Sequence, residues 1–478
     1  MNRQLVWLRS DLRCADNPAL HTALAKGPVI ACFVLSPAQW QQHDDAACKV
    51  DFWLRNLSAL QDELAALNIP LKLLDCPLWQ DLPSALLSFC QQHEISAVHV
   101  NHEYPVNEQT RDARCAEALR QHGIGFYPQH GNALAAPGSV LTNAGGVFKV
   151  FSQFRKCLFK HWEISGSPTP LPYPQAQTPL PISSDAVPSQ LAGFAKPSQA
   201  LIDLWPAGSA AAHERLRQFT DQHLHAYKDQ RDMPALPGTS QLSAYLVAGV
   251  LSLRQCLYSA QMANQGQYAD GSAGAVHWIS ELIWREFYLH ITAGYPQVSR
   301  HRAFRPETEL LAWRTAPDDL AAWQQGRTGV PIVDAAMRQL LATGWMHNRL
   351  RMISAMFLTK NLLIDWREGE RWFMQHLIDG DLAANNGGWQ WSASTGTDAA
   401  PYFRVFNPVS QSQRNDPDGA FIRHWLPELN GLDNKAIHQP PQGLFAPSGY
   451  PAPIVDLASS RERAIAAFQA LPKASEVA

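Results

Sequence analysis

None of the eight cysteines (Cys14, Cys32, Cys48, Cys76, Cys90, Cys115, Cys157 and Cys256) forms a CxxC pair, and their spacing follows no period. That pattern argues against a zinc site and a disulfide framework, so buried, reduced thiols in a cytoplasmic protein are expected. Long apolar runs are also missing. Stretches such as residues 71–74 fall far short of the ~20 residues needed to span a bilayer. The first fourteen residues carry Arg3, Arg9, Asp11 and Arg13, unlike the uncharged core of a secretory signal. No sign of charge dominates, because 39 basic and 42 acidic residues leave a formal −3. Local charge matters more than the sum for nucleic-acid binding, and residues 300–360 hold nine Lys/Arg against five acids. Neither GxGxxG after a strand nor GxxxxGK[ST] occurs, which removes the usual dinucleotide and P-loop phosphate cradles.

A chain of 478 residues is enough for two or three domains. Apolar runs at 4–9, 29–35, 71–74 and 97–101 alternate with helical stretches such as 50–67 and 106–122, a pattern that predicts a parallel α/β sheet. Residues 168–197 contain eight prolines and read as the heart of an interdomain linker spanning 131–204. Beyond residue 205 a helical period takes over, persists to Asp379 and predicts an all-helical second domain, with a proline-rich tail after Gly431 and a short helix at 460–471.

The chain is rich in tryptophan, and nine of its sixteen fall within residues 278–391. In the run 277–287, spacings of three and four place Trp278, Glu281, Trp284 and Arg285 on one helical face. Solvent would not favour two indoles there, and a sealed core would not take unpaired Glu and Arg, so the face reads as a cavity wall. Asn348, Arg351 and Met352 share a second such face. Two faces of this kind suit a planar, hydrogen-bonding ligand such as a nucleobase. Residues 385–391 read as a polar, glycine-rich loop that lets backbone approach a flat ligand. The hydroxyl-rich run 238–243 precedes a helix and suits phosphate, or else Ser243 is simply the helix cap.

The strings RSDLR at 9–13 with Asp16 and Asn17, GTS at 238–240, ELIWREF at 281–287, TGWMHNR at 343–349 and DGDLAANNGGW at 379–389 resemble the photolyase/cryptochrome family. Within it they look most like the bacterial class I cyclobutane pyrimidine dimer group. The resemblance implies an N-terminal Rossmann-like α/β antenna domain (1–130) and a C-terminal helical FAD- and DNA-binding domain (205–478). It implies light-dependent repair of pyrimidine dimers in DNA by electron transfer from excited reduced FAD to a flipped-out dimer. FAD contacts would come from Tyr227, Thr239, Ser240, Gln241, Leu242, Ser243, Trp278, Arg285, Arg351, Asp379, Gly380 and Asp381, with Asn385 by flavin N5. Glu281 would hydrogen-bond the dimer, while Trp284 and Trp391 stack around it. Arg231, Asn348, Arg349, Met352 and Gln411 would contact the lesion and its flanks. Trp389, Trp366 and Trp313 match an electron-transfer chain.

Six-four photolyases carry histidines where this chain has Asn348 and Met352, so the lesion expected is the cyclobutane dimer. His43, Asn107, Glu108 and Arg300 match contacts to a 5,10-methenyltetrahydrofolate antenna. A deazaflavin stays open, since Ser299 stands where some relatives have cysteine. The resemblance implies no metal, no membrane, no obligate protein partner and a monomer. The rival reading is a blue-light photoreceptor of the cryptochrome type, whose long tail is missing from the 48 residues after Asn430.

Overall fold

The computed structural model describes residues 2–472. Five parallel strands, β1 (Arg3–Leu8), β2 (Val29–Leu35), β3 (Leu71–Asp75), β4 (Ile95–Asn101) and β5 (Gly125–Gln129), form one sheet in the order β3-β2-β1-β4-β5. Every residue of β2 and five of the six in β1 are buried. The unbroken apolar runs at residues 5–8 and Val29–Leu35 are what a parallel sheet covered on both faces requires. β5 was not expected. It contains Pro128, which an edge strand tolerates because one row of its backbone groups is unpaired. The order reverses between β1 and β4, where parallel sheets commonly receive ligands. There the Asp11 carboxylate accepts from the Arg9 amide at 2.6 Å and from Asn101 Nδ2 at 2.5 Å.

Two compact units emerge. One comprises Met1–His225, Ser240–Pro296 and Ile378–Asp381, and the other Ala226–Thr239, Gln297–Leu377 and the chain from Leu382 on. These units do not follow the boundaries expected at 130 and 204. The segment expected to be a linker contains the helix Phe151–Ser165, which buries Phe151, Phe154, Leu158 and Trp162. Its proline-rich part lacks helix and strand but is anchored. The Gln177 side chain accepts from Val29 N at 2.7 Å and donates to Val29 O at 2.9 Å. Asp185 accepts from Leu73 N at 2.9 Å and pairs with Lys72. Proline prevents a continuous ladder, so these side chains supplement isolated backbone bonds such as Asp185 N to Leu71 O at 2.8 Å.

The second unit is helical around a core containing Trp323, Met337, Phe373 and Trp389. A π-helical turn, Phe357–Asn361, holds fully buried Lys360, whose Nζ donates to Ala393 O at 3.1 Å and Ser394 Oγ at 2.8 Å. The helix expected at 460–471 is Leu457–Gln469. Among the described residues no helix is long and apolar enough to cross a membrane. All eight cysteines are unbridged; six are buried, and Cys48 and Cys157 are half-buried.

Candidate flavin and DNA site

In the first unit the helix Ala273–Gly294 carries Trp278, Glu281, Trp284 and Arg285. Trp278 is buried 5.0 Å from the Phe219 ring, whereas Glu281, Trp284 and Arg285 are half-buried. Trp284 lies flat on Phe151 with centroids 3.7 Å apart and planes 7° from parallel. Phe151 was not singled out from the sequence, because the 132 residues between it and Trp284 leave no local signal. Arg285 Nη2 reaches Asp381 Oδ2 at 3.4 Å, so the structure joins two residues expected to share one site. Ser243 is the first residue of the helix Ser243–Ala248; Leu242 is its cap and makes no side-chain cap bond, which removes the capping alternative. Gln241 has a left-handed φ of 48°, and its carbonyl accepts from Arg215 at 3.4 Å.

At the sheet end of this unit, Asn107 Nδ2 and His43 Nε2 are 3.1 Å apart, and Trp79 meets the His43 ring edge-on at 4.9 Å. Burial, reinforced by the charge of Glu103, pushes the Glu108 carboxyl up to about 7. Arg300 lies in the second unit, on the turn Val298–Arg300.

In the second unit residues 385–391 are not a loop. They belong to the helix Leu382–Ala393 despite Gly387 and Gly388. Asn386 Nδ2 donates to Glu370 Oε1 at 2.9 Å and Gln390 Nε2 to Asn386 Oδ1 at 2.8 Å, bonds that hold the helix from outside its own backbone. Asn385 Nδ2 donates to the Glu370 carbonyl at 2.9 Å, which fixes the amide's orientation and leaves its oxygen as the acceptor end. A Cβ added at Gly388 would meet nothing within 4 Å, so protein packing does not demand glycine there. An oriented acceptor and bare helix backbone facing open space both fit a flat ligand carrying an N–H donor, such as reduced flavin.

Trp389 is buried 4.9 Å from Phe373 and 5.9 Å from Trp323, an indole that the electron-transfer expectation did not include. Trp366 is buried in the same core, and partly buried Trp313 packs against it. Trp391 is half-buried. Asn348, Arg349, Arg351 and Met352 start the helix Asn348–Met356, with the Arg351 side chain turned to Met346 O at 2.8 Å. Arg231 lies 5.5 Å from the centre of the Tyr227 ring. Gln411 accepts from Asn415 within the helix Pro408–Asn415.

Residues 4–175 match the family described as DNA photolyase, and residues 278–470 match the FAD binding domain of DNA photolyase. The chain is 45% identical to the deoxyribodipyrimidine photo-lyase of Salmonella typhimurium, over 99% of this chain and 100% of that one. The chain belongs to the DNA photolyase family. A second relative in the family, the deoxyribodipyrimidine photo-lyase of Escherichia coli, is 43% identical over the same shares. Among solved structures, a class III photolyase from Agrobacterium tumefaciens superposes with a TM-score of 0.87 at 32% identity, covering 98% of both chains. Membership in the photolyase family agrees with the fold, a parallel five-stranded sheet accompanied by a large helical part.

Proposed function

We propose that this protein is a light-driven lyase that splits cyclobutane pyrimidine dimers in DNA. The observation that carries the reading is its 43–45% identity, end to end, with two bacterial proteins named deoxyribodipyrimidine photo-lyase. FAD follows from the match to the FAD binding domain of DNA photolyase. When bound in its reduced form, FAD supplies the photo-excited electron.

The chain's own part is positioning and electrostatics. The run Thr239–Ser243 would take the pyrophosphate of FAD, and Trp278, Arg285, Asp379 and Asp381 would fix the rest of it. Asn385 would offer its amide oxygen to flavin N5–H without adding charge. Glu281 would hydrogen-bond the carbonyl and N3 edges of the dimer. Trp284 and Trp391 would stack on it, at roughly 1–3 kcal/mol per base, comparable to the few kcal/mol that flipping costs. Arg231, Asn348, Arg349, Met352 and Gln411 would hold the lesion and its flanks. The sheet end bearing His43, Asn107 and Glu108 would take a folate antenna; the adjacency of His43 and Asn107 supports that assignment.

The test is repair of an oligonucleotide containing one thymine dimer, in light and in darkness, by the chemically reduced protein. Restored thymines in light alone are expected, and Glu281→Gln should lower dimers split per absorbed photon several-fold while retaining flavin. Absence of light-dependent repair would overturn the reading.

A further inference from the structure

We propose that Asp232 sets lesion specificity by holding Arg349 in its lesion-facing pose and withholding its charge from ordinary phosphates. The proposal rests on the reading that Arg231 and Arg349 contact DNA. Asp232 lies between these two guanidinium groups in one compact unit, with Oδ2 2.7 Å from Nη2 of Arg349 and Oδ1 3.6 Å from Nε of Arg231. Burial works to raise its pKa, yet the hydrogen bond from Arg349 and the charges of both arginines hold it below the ordinary carboxylate value. The two arginines and one carboxylate therefore leave a single net positive charge.

Arg349 is held from several sides. Its backbone N–H donates to His347 Nδ1 at 3.2 Å, its side chain is 19% exposed, and Nη1 stands 3.8 Å from the Met352 sulfur. Its buried Nε has no hydrogen-bond partner, and a thioether is a weak acceptor. The guanidinium thus has its charge matched by Asp232 while Nη1 is engaged only by the weak thioether acceptor of Met352. Those two properties affect two kinds of binding differently. Contact with any duplex depends on net positive charge and the counterions it releases, whereas recognition of a particular base edge depends on placed donors. An acid on the far side of the fork weakens the first and preserves the second.

The experiment compares anisotropy titrations of the flavin-loaded protein with undamaged and single-dimer duplexes across 50–200 mM salt. For Asp232→Asn, affinity for the undamaged duplex should rise. Its log–log salt slope should steepen by about 0.9, equivalent to roughly threefold more loss of affinity over that range. Affinity for the dimer should not rise, so the lesion preference falls. Asp232→Glu, which keeps the charge, should keep the parental slope. An unchanged slope, or an equal rise or equal fall on both duplexes, would overturn the proposal. If Asp232→Asn does not fold, the Asp232→Asn/Arg349→Gln double variant leaves one fewer arginine without a counter-charge and, with one more net positive charge than Arg349→Gln, should show a slope steeper than that variant's by about 0.9; equal slopes overturn the idea. Arg231→Ala and Arg349→Ala separate the two levels. If neither weakens DNA binding, the underlying assignment of DNA contacts is wrong, whereas weakened binding with a flat Asp232→Asn result removes only the role of Asp232.

Discussion

The helix Ala273–Gly294 reads as a helix from apolar residues every three or four positions, whereas Leu382–Ala393 holds two glycines, two asparagines and a glutamine and is helical all the same. Each interior glycine costs about 0.5–1 kcal/mol relative to alanine, so local propensity alone does not explain the second helix. Its stability comes from outside. Phe304 N donates to Gln390 Oε1 at 2.8 Å, Gln390 Nε2 donates to Arg302 O at 3.1 Å, and Lys360 ties down Ala393. A helix that keeps costly residues under such restraint keeps them for what they face. In the proposed function the two helices divide the chemistry unevenly: the first gives Glu281 and Trp284 to the lesion as well as Trp278 and Arg285 to FAD, while the second gives Asn385 to the flavin and Trp391 to the lesion and carries Trp389.

The sharpest way to break that division is Trp366→Phe, in the same core as Trp389. Light-driven reduction of oxidised flavin should be abolished, while chemically reduced protein still repairs dimers; stopped illumination with flavin absorbance reads it. On the other helix, Trp284→Ala should reduce the ratio of dimer to undamaged affinity by about 5- to 150-fold, from the 1–3 kcal/mol of base–aromatic stacking. An equal loss on both duplexes would make Trp284 a packing partner of Phe151 instead. Gly388→Ala sharpens the contrast at smaller scale. If the open space at its α-carbon serves a ligand, flavin retention falls while the flavin-free protein gains about 0.5–1 kcal/mol in thermal unfolding; gain without flavin loss would break the assignment.

The smallest effect belongs to neither helix. Glu108 titrates near 7 in the folded protein against an ordinary 4.5, so between these values the native state holds a proton that the unfolded chain has lost. Stability should therefore fall as pH rises through that window. Glu108→Gln should flatten this part of the Tm profile.

The strands β1 and β2 were legible because burial on both faces makes residues 5–8 and Val29–Leu35 continuously apolar. β5 was not, because Pro128 and exposed residues leave it without a strand-like run. The strap at 168–197 was legible as irregular but not as anchored, since Gln177 and Asp185 find partners more than a hundred residues away. The face bearing Trp278, Glu281, Trp284 and Arg285 followed from helical spacing. Asn385 and Trp389 were found through the family pattern, but their setting was misread, because bonds to Glu370 and Arg302 have no trace in local sequence. Asp232 directly follows Arg231, yet only folding brings Arg349 to its other oxygen.

The short segment Ile378–Asp381 belongs to the first compact unit, while the residues on either side belong to the second. This imposes an order of events on a nascent chain. The sheet can form early, but the unit built on it waits for residues made some eighty positions after Pro296, and Asp381 reaches Arg285 only then. At roughly 5–20 residues per second, that delay lasts several seconds to more than ten, during which half-made protein offers an unfinished acidic clamp. Ribosome pausing or truncation between 297 and 377 would thus yield a sheet-containing fragment with no completed grip on its arginine.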